Sequence, residues 1–284
     1  TNPDAMNYEE DAVFDDGSCV VPDIIVPDDY GTIQGALDAA CANCTIFVRS
    51  GTYYENLEMN FHWDVPFYGG VNLIGEDKET TIIDGSNDNC PVFTMKDTSP
   101  NYDSKSQLNM RNFTIQNGQG DCNTPNLGLN GNRGGGIASE DVVLQLENMI
   151  FQNNWTSNNG GGLYVEFGDT SWEDDYLILD GVDFYNNQAN GNGGAVNIKS
   201  VANGNGSNEG IDYININNCN ISNHSSINGS AILLNGRHSF IDINNSTITN
   251  NTSSESGPAG IFFNDMQNSQ GNYSVIRNSI ISNN

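Results

Sequence analysis

The second half of the chain repeats one short pattern of apolar and polar residues six times. Six apolar residues, which we call the anchors, mark the pattern: Ile115, Phe151, Phe184, Ile221, Ile248 and Ile281. An asparagine follows each anchor two positions later: Asn117, Asn153, Asn186, Asn223, Asn250 and Asn283. An apolar residue precedes each anchor by five positions: Met110, Leu146, Leu179, Ile216, Ile243 and Ile276. The anchors are 27 to 37 residues apart, which predicts a constant structural rung joined by loops of variable length.

Apolar and polar residues alternate within each rung as they do in a strand, but the alternation slips by one residue three positions before the anchor. Asn or Gly occupies this position: Asn112, Asn148, Gly181, Asn218, Asn245 and Asn278. Both residue types tolerate the left-handed backbone conformation that a sharp bend requires. We therefore predict two strands joined by a bend, with the Asn side chains stacked and hydrogen-bonded along the stack.

A second motif, rich in Gly, lies between the anchors and begins a further strand. It occupies residues 134–137, 160–163, 193–196, 229–232 and 258–261. Three stacked strands per rung predict an all-β fold, namely a right-handed, single-stranded parallel β-helix, which is a solenoid. A disordered Asn- and Gly-rich tract is the alternative, but disorder gives no reason for apolar residues to keep two registers.

The repeats resemble those of a known family. Phe151-Gln-Asn-Asn154 and Phe184-Tyr-Asn-Asn187, each followed by a Gly-Gly-x-apolar strand, are similar to the repeats of chlamydial polymorphic outer-membrane proteins. Ile replaces Phe in four of the six rungs, and the Gly pair is lost after Gly194. The resemblance covers about 108–284 and implies a β-helix on a bacterial surface, without a shared activity.

Residues 23–45 predict an N-terminal cap for the β-helix, which then occupies residues 46–284. Thr32 is suited to begin a helix, and Ile33, Ala36, Leu37 and Ala40 follow at helical spacing. A short amphipathic helix at this position would shield the open end of the solenoid.

The stretch 26–85 resembles the opening of secreted β-helix proteins related to pectin methylesterases and pectate lyases. The segments VPDDYGTIQGALDAA, SGTYYENLEM and LIGEDKETTIIDG carry this likeness. It implies β-helix architecture and a secreted setting. Those enzymes keep their catalytic residues elsewhere, so the resemblance implies no activity here.

Residues 1–22 form an Asp-rich segment, with carboxylates at Asp4, Asp11, Asp15 and Asp16. The segment resembles a short element of the form NPDAxNYxxxAxxDDGSC in secreted proteins of Bacteroidetes-like bacteria. Carboxylates are ligands that Ca²⁺ prefers, so these four are candidate calcium ligands. An acidic, disulfide-tethered linker is the alternative, and we expect no other cofactor.

The charge of the chain limits its partners. Nine Lys and Arg against 36 Asp and Glu give a net charge of −27. Such an excess argues against nucleic acid and anionic membrane surfaces as partners. No run of 18 apolar residues is present, so we expect no membrane span. An extracellular or cell-surface location fits these features.

Six cysteines favour structural disulfides in an oxidising compartment. Cys41 and Cys44 form a CxxC motif, for which a redox or zinc half-site is the alternative reading. Cys219 aligns with buried positions of the other rungs, so we expect a free buried thiol there. The remaining pairing stays open at this point.

Strand parity predicts which side chains of the Gly-leading strands point outward. The first outward row is Ala138, Tyr164, Asn197, Leu233 and Phe262. The second outward row is Glu140, Glu166, Lys199, Asn235 and Asn264. The rows lack the paired Asp and Gln of a pectin methylesterase and the Asp and His cluster of a polygalacturonase.

Glu140, Glu166 and Lys199 are the nearest approach to a catalytic or calcium-binding set, because they lie on consecutive rungs. A row of solvated charges is the alternative. Tyr164, Leu233 and Phe262 are a candidate stacking platform for sugar rings, unless their own loops cover them. His224 replaces an Asn of the repeat, so we expect it to substitute for that Asn and not to bind a metal.

Two hypotheses for function follow. The first is a secreted or cell-surface structural module, an adhesin or filament component, that is not an enzyme. The second is an extracellular carbohydrate-active β-helix, a polysaccharide lyase or a glycan-binding protein, which uses the outward face of the Gly-leading strands. The missing catalytic set favours the first. No capping element follows Asn284, so we expect the natural chain to continue, or a second copy or another surface or secretion protein to cover the last rung.

Overall fold

The computed structural model describes residues 21–62, 70–98, 106–122, 132–168, 175–200, 212–236, 239–255, 257–264 and 274–284. In these ranges the elements are, in chain order, β1 (Ile24–Val26), α1 (Ile33–Asp38), β2 (Thr45–Val48), β3 (Gly51–Tyr54), β4 (Leu57–Phe61), β5 (Val71–Gly75), β6 (Thr81–Asp84), β7 (Phe93–Asp97), β8 (Gln107–Arg111), β9 (Thr114–Gln116), β10 (Ile137–Glu140), β11 (Val143–Glu147), β12 (Ile150–Gln152), β13 (Trp155–Thr156), β14 (Leu163–Phe167), β15 (Asp175–Asp180), β16 (Asp183–Tyr185), β17 (Gln188–Ala189), β18 (Val196–Ser200), β19 (Asp212–Asn217), β20 (Asn220–Ser222), β21 (Ser225–Ser226), β22 (Ile232–Asn235), β23 (Ser239–Asn244), β24 (Thr247–Thr249), β25 (Thr252–Ser253), β26 (Ile261–Asn264), β27 (Val275–Arg277) and β28 (Ile280–Ser282).

The strands stack in parallel into a β-helix, as the repeat predicts. Sheet A has the order β1-β2-β5-β8-β11-β15-β19-β23-β27, and sheet B the order β3-β6-β9-β12-β16-β20-β24-β28. Sheet C, which is built from the Gly-leading strands, has the order β4-β7-β10-β14-β18-β22-β26. The six anchors pair rung to rung in sheet B, so they form one column, which is buried except at Ile281 of the last rung, 44% exposed. In this column the rings of Phe151 and Phe184 stack at 4.8 Å between centroids.

The bend between sheets A and B confirms the predicted left-handed residues. The six residues three positions before the anchors have φ values between 50° and 64°. Their side chains also bond along the stack: Asn148 donates to Asn112 Oδ1 at 2.9 Å, and Asn245 donates to Asn218 Oδ1 at 2.6 Å. The bends are therefore held by a file of amides on the outside of the β-helix.

A second file of amides, which we call the Asn ladder, lies inside the turn after sheet B. Its members are Asn154, Asn187, His224, Asn251 and Asn284. The backbone N–H of each of the first four donates to the side chain of the next member, over 3.0 to 3.1 Å. His224 therefore replaces an Asn in the ladder, as the alignment of the repeats predicts.

The structure has one sheet more than the three that the repeat predicts. Sheet D is formed by β13, β17, β21 and β25, each two residues long. The Gly-rich motif follows it, where neighbouring rungs approach closely. A Cβ at Gly161 would lie 2.4 Å from the carbonyl oxygen of Gly194, so a side chain cannot be accommodated there without a backbone shift.

The N-terminal cap contains the predicted helix and also a strand, β1, that the sequence pattern did not reveal. Thr32 caps α1 and accepts a hydrogen bond from the Gly35 N–H at 3.1 Å. Ile33, Ala36 and Leu37 are buried against the first rungs. Six residues are too few to span a membrane, and no helix of the described ranges is longer.

Two disulfides and one free thiol resolve most of the cysteine pairing. Cys41 bonds to Cys44 in the cap, and Cys90 bonds to Cys122. Cys219 is free and buried, as predicted. Burial raises the pKa of its thiol to about 12, so Cys219 is an unreactive core residue.

Candidate functional site

The predicted outward rows of sheet C are confirmed in their placement. Glu140 pairs with Glu166, and Glu166 pairs with Lys199, so the three lie on adjacent strands. Lys96 continues the same row next to Glu140. The sequence therefore brings the predicted charged residues together.

These charges are neutralised by one another. Lys96 Nζ lies 2.6 Å from Glu140 Oε1. Glu166 accepts from Lys199 and from Arg133, each at 2.5 Å. Arg133 directly precedes the Gly-rich motif and pairs with Asn159 of the next rung, so its position is part of the repeat. Strand parity does not reveal its role, because the residue lies before β10. Both carboxylates of the row are thus engaged by cations.

The chemistry of Glu166 follows from this pairing. Its side chain is 13% exposed, and burial opposes ionisation. Hydrogen bonds from Lys199 and Tyr164, together with the positive charges of Arg133 and Lys199, outweigh burial and lower the pKa of Glu166. A carboxylate held ionised in this way is a poor general acid. Burial and the hydrogen bond to Glu166 raise the pKa of Tyr164, which excludes the phenol as a base near neutral pH.

The candidate sugar platform on sheet C is largely covered. Tyr164 is 3% exposed and Leu233 is 5% exposed, while Phe262 is half-buried. The guanidinium of Arg133 lies over the Tyr164 ring, 5.0 Å from its centroid. The platform lies on the outer face, as parity predicts, but the structure does not support it as an accessible surface.

The candidate calcium ligands Asp4, Asp11, Asp15 and Asp16 lie outside the described residues. Within the described ranges, no group of three or more His, Cys, Asp or Glu is arranged to hold a metal ion.

The outer face of sheet A carries a different constellation. Its inward residues are Leu, Ile and Met, and the alternate positions point outward. The outward side chains enclose a groove of about 300 Å³, which is the lower end of the range for small-molecule sites. The groove is lined by Thr45, Asn72, Ile74, Asn109, Met110, Arg111, Gln145 and Glu147.

Three amides of this groove, Asn72, Asn109 and Gln145, lie on adjacent strands, and hydrogen bonds orient two of them. Asn109 donates to Asn72 Oδ1 at 2.8 Å and accepts from Gln107 Nε2 at 2.6 Å. Asn72 donates in turn to the backbone carbonyl of Asn43 at 3.3 Å. A primary amide has two N–H donors and two lone pairs, so Asn72 and Asn109 each keep one donor and one acceptor for a ligand.

Arg111 and Glu147 occupy the other side of the groove as neighbours in the register of β8 and β11. Glu147 is exposed, and Arg111 is half-buried. Arg111 Nε is buried and has no hydrogen-bond partner in the described part of the chain. Because this nitrogen is covered by the protein, it is not a contact for a ligand in the groove, and Arg111 contributes to the groove through its charge.

An aromatic column continues the same face of sheet A. Tyr176 and Tyr213 stack with centroids 5.4 Å apart and planes inclined by 13°. Phe240 follows with its ring edge-on to Tyr213, at 6.1 Å. Tyr176 is 39% exposed. Tyr176 is thus more accessible than Tyr164 and Leu233 on sheet C, while Tyr213 and Phe240 are half-buried.

The repeat contains a signal that could have located this face. The residues of the aromatic column lie eight positions before their anchors, and the groove amides Asn109 and Gln145 lie six positions before theirs. Arg111 and Glu147 lie four positions before theirs. These positions alternate with the apolar ones, so they point outward.

Comparisons with known proteins give two solved structures of low similarity. No protein-family model matches the chain, and no curated protein matches it. A crystal structure of pectin methylesterase from Aspergillus niger, in a penultimately deglycosylated form, is 20% identical, covers 92% of this chain and 84% of its own, and has a TM-score of 0.35. Its deglycosylated form is 18% identical, covers 90% and 88%, and has a TM-score of 0.32. Likeness at this level carries no argument about activity.

Proposed function

We propose that this protein is an extracellular carbohydrate-binding β-helix, an adhesive module that holds a neutral polysaccharide in the groove of sheet A without cleaving it. The observation that carries the proposal is the pair of amides Asn72 and Asn109, which are oriented by hydrogen bonds and each keep one donor and one acceptor, in a groove that Arg111 and Glu147 also line. Sugar hydroxyls donate and accept at once, so they match such a mixed set of groups.

The charge of the groove favours a neutral ligand. The charges of Arg111 and Glu147 cancel each other, and the groove amides are uncharged, namely Asn72, Asn109 and Gln145. The net charge of −27 repels acidic polymers at long range, and the groove has no surplus cation to overcome it. A neutral sugar chain is not repelled by this charge.

A non-catalytic role is favoured by the state of the candidate catalytic row on sheet C. Ion pairs engage all three residues of this row, Glu140, Glu166 and Lys199, and the lowered pKa of Glu166 keeps its carboxylate ionised. The extracellular setting is supported by the disulfides Cys41–Cys44 and Cys90–Cys122, which persist in oxidising compartments.

The experiment is affinity electrophoresis in gels that contain neutral polysaccharides (glucan, xylan and galactan) or polygalacturonate. We expect retardation by at least one neutral polymer, which is lost in Arg111→Gln and Gln145→Ala. Arg133→Gln and Lys199→Gln serve as matched controls on sheet C and should bind normally. No retardation in any neutral gel would refute the proposal.

The alternative hypothesis, a carbohydrate-active enzyme with its site on sheet C, predicts the opposite results with the same polysaccharides. It predicts release of reducing or unsaturated ends from the polymers, with loss of turnover in Glu166→Gln. Under our proposal no products appear from wild type, and Glu166→Gln binds as wild type does.

A further inference from the structure

We propose that Gln107, two residues before Asn109 on β8, is a positioning residue that holds the groove amides Asn109 and Asn72 in one orientation for a sugar ligand. This inference rests on the proposed function, because the two amides are the groups that carry that function. It adds that their orientation is set in one direction along the β-helix.

Three side chains and one backbone carbonyl form a chain of hydrogen bonds, which we call the amide relay. Gln107 Nε2 donates to Asn109 Oδ1 at 2.6 Å. Asn109 Nδ2 donates to Asn72 Oδ1 at 2.8 Å, and Asn72 Nδ2 donates to the carbonyl oxygen of Asn43 at 3.3 Å. The amide relay therefore begins at Gln107, passes through both groove amides and ends on the backbone of the N-terminal cap.

The backbone end of the amide relay fixes its direction. A carbonyl oxygen only accepts, so Asn72 has to turn its Nδ2 toward Asn43, which leaves its Oδ1 facing Asn109. The Asn43 N–H cannot support the opposite arrangement, because it donates to the Gly70 carbonyl at 2.8 Å. Asn109 has to donate to Asn72, which turns its own Oδ1 toward Gln107. The amide relay is thus satisfied only while the group at position 107 is a donor.

The orientation of the two amides affects how well they bind a sugar. Asn72 and Asn109 each keep one N–H and one lone pair outside the amide relay, and a hydroxyl can accept from the first and donate to the second. An amide that is already held in its bound rotamer loses less conformational entropy when a ligand binds. Gln107 therefore acts on the sugar through Asn109.

Three substitutions at position 107 separate the donor from the other properties of the side chain. Gln107→Lys carries donors only, Gln107→Glu carries acceptors only when ionised, and Gln107→Leu carries neither. The probes are cellohexaose, xylohexaose and galactohexaose, measured by isothermal titration calorimetry. These sugars are uncharged, so the charges that Lys and Glu add do not attract or repel them.

We expect Gln107→Lys to bind within about threefold of wild type, because it keeps the donor that the amide relay requires. Gln107→Glu should bind about tenfold more weakly or worse, because Asn109 then faces acceptors on both sides and leaves its bound rotamer. Gln107→Leu should lie between the two. Equal affinities of the Lys and Glu variants would mean that the side chain only fills space, which overturns the proposal.

Gln152 supplies a matched control on sheet B. Its Nε2 donates to Gln116 Oε1 at 2.7 Å, and Gln116 donates in turn to the Asp84 carboxylate at 2.8 Å, so this file of amides also ends on an acceptor. Gln152→Glu should disturb its own file but leave sugar binding within about twofold of wild type, because the two files share no residue. Equal weakening by Gln152→Glu and Gln107→Glu would overturn the positioning role.

The side-chain NH₂ signals of Asn72 and Asn109 in NMR spectra give a second reading that needs no ligand. They should move in Gln107→Glu, where the amide relay is broken, and move little in Gln107→Lys. Signals that stay in place in Gln107→Glu would show that position 107 does not orient the groove amides.

The failure of this inference is distinguishable from the failure of the proposed function. If no hexasaccharide binds wild type, the proposed function fails and the positioning role fails with it. If one hexasaccharide binds, is weakened by Arg111→Gln and Gln145→Ala, and binds Gln107→Glu as it binds wild type, the groove stands and the positioning role is overturned.

Discussion

Asn187 donates its backbone N–H to Nδ1 of His224, 3.1 Å away on the next rung. The acceptor is an imidazole where the other described rungs of the Asn ladder have an amide. His224 Nε2 is buried and has no hydrogen-bond partner in the described ranges. Burial lowers the pKa of His224 to about 4, so the ring is neutral in the folded protein.

The first prediction concerns acid stability. The folded pKa of His224, about 4, is below its ordinary value of 6.5, so the unfolded chain binds this proton more readily. The contribution of His224 to the free energy of unfolding is therefore fully present above pH 6.5. It is lost as the pH falls toward 4, and the loss is at most about 3 kcal/mol. We expect His224→Asn to be within about 1 kcal/mol of wild type at pH 7, where a restored amide offsets lost volume.

At pH 4 the same variant should be the more stable protein, as measured by thermal unfolding followed by circular dichroism. His62→Asn is the control, since His62 is not buried in the ladder, and it should leave the pH dependence unchanged. Parallel pH profiles for wild type and His224→Asn would show that His224 does not limit acid stability.

The second prediction concerns the anchor column. Phe151 is fully buried and stacks on Phe184, so Phe151→Ala leaves a cavity and should cost about 3–5 kcal/mol. Gln152→Ala changes the outward neighbour on the same strand and should cost less than about 1 kcal/mol. Urea denaturation measures both. Equal effects for the two variants would mean that the anchors do not form the core.

The third prediction uses the glycines. Gly181 has a φ of 64° at the bend position, and a Cβ there would meet no atom closer than 3.7 Å. Gly181→Asn should therefore be tolerated or stabilising by up to about 1 kcal/mol, as the Asn of the other rungs indicates. Gly161→Ala should destabilise the protein by more than about 1 kcal/mol, since its Cβ would lie 2.4 Å from a carbonyl oxygen. Thermal unfolding measures both variants. An equal decrease in the unfolding midpoint for Gly181→Asn and Gly161→Ala would contradict this explanation.

The fourth prediction concerns the ion-paired row of sheet C. Glu166→Gln removes the common partner of Arg133 and Lys199, and it should cost about 1–3 kcal/mol, between an exposed and a buried pair. The folded pKa of Glu166 is lowered, so its contribution is present above pH 4.5 and is lost as the pH falls through the folded pKa. The difference from wild type in urea denaturation should thus shrink in acid. A difference that is the same at neutral and acid pH would show that the charge of Glu166 does not matter.

Much of the fold could be predicted from the sequence, because a solenoid repeats its constraints. The anchor column, the left-handed bend residues and the replacement of Asn by His224 each follow from residues at one fixed phase. Thr32 and the buried Cys219 were predicted for the same local reasons. Sheet D escaped because strands of two residues are too short to show alternation.

The candidate site was harder to predict, because it depends on contacts across rungs. Parity places Glu166 and Lys199 correctly, but it does not reveal Arg133, which precedes β10 and has an Asn at the matching position of the next rung. The groove of sheet A needs the register of the three strands β5, β8 and β11 before Asn72 and Gln145 can be placed together. No single stretch of sequence contains that information.

The most direct test is a crystal structure of the protein with an oligosaccharide of the neutral polymer that retards it most strongly. We predict sugar density along the outer face of sheet A, in the groove between Asn109 and Arg111. Density over Glu140, Glu166 and Lys199 on sheet C, with sheet A empty, would contradict the central claim.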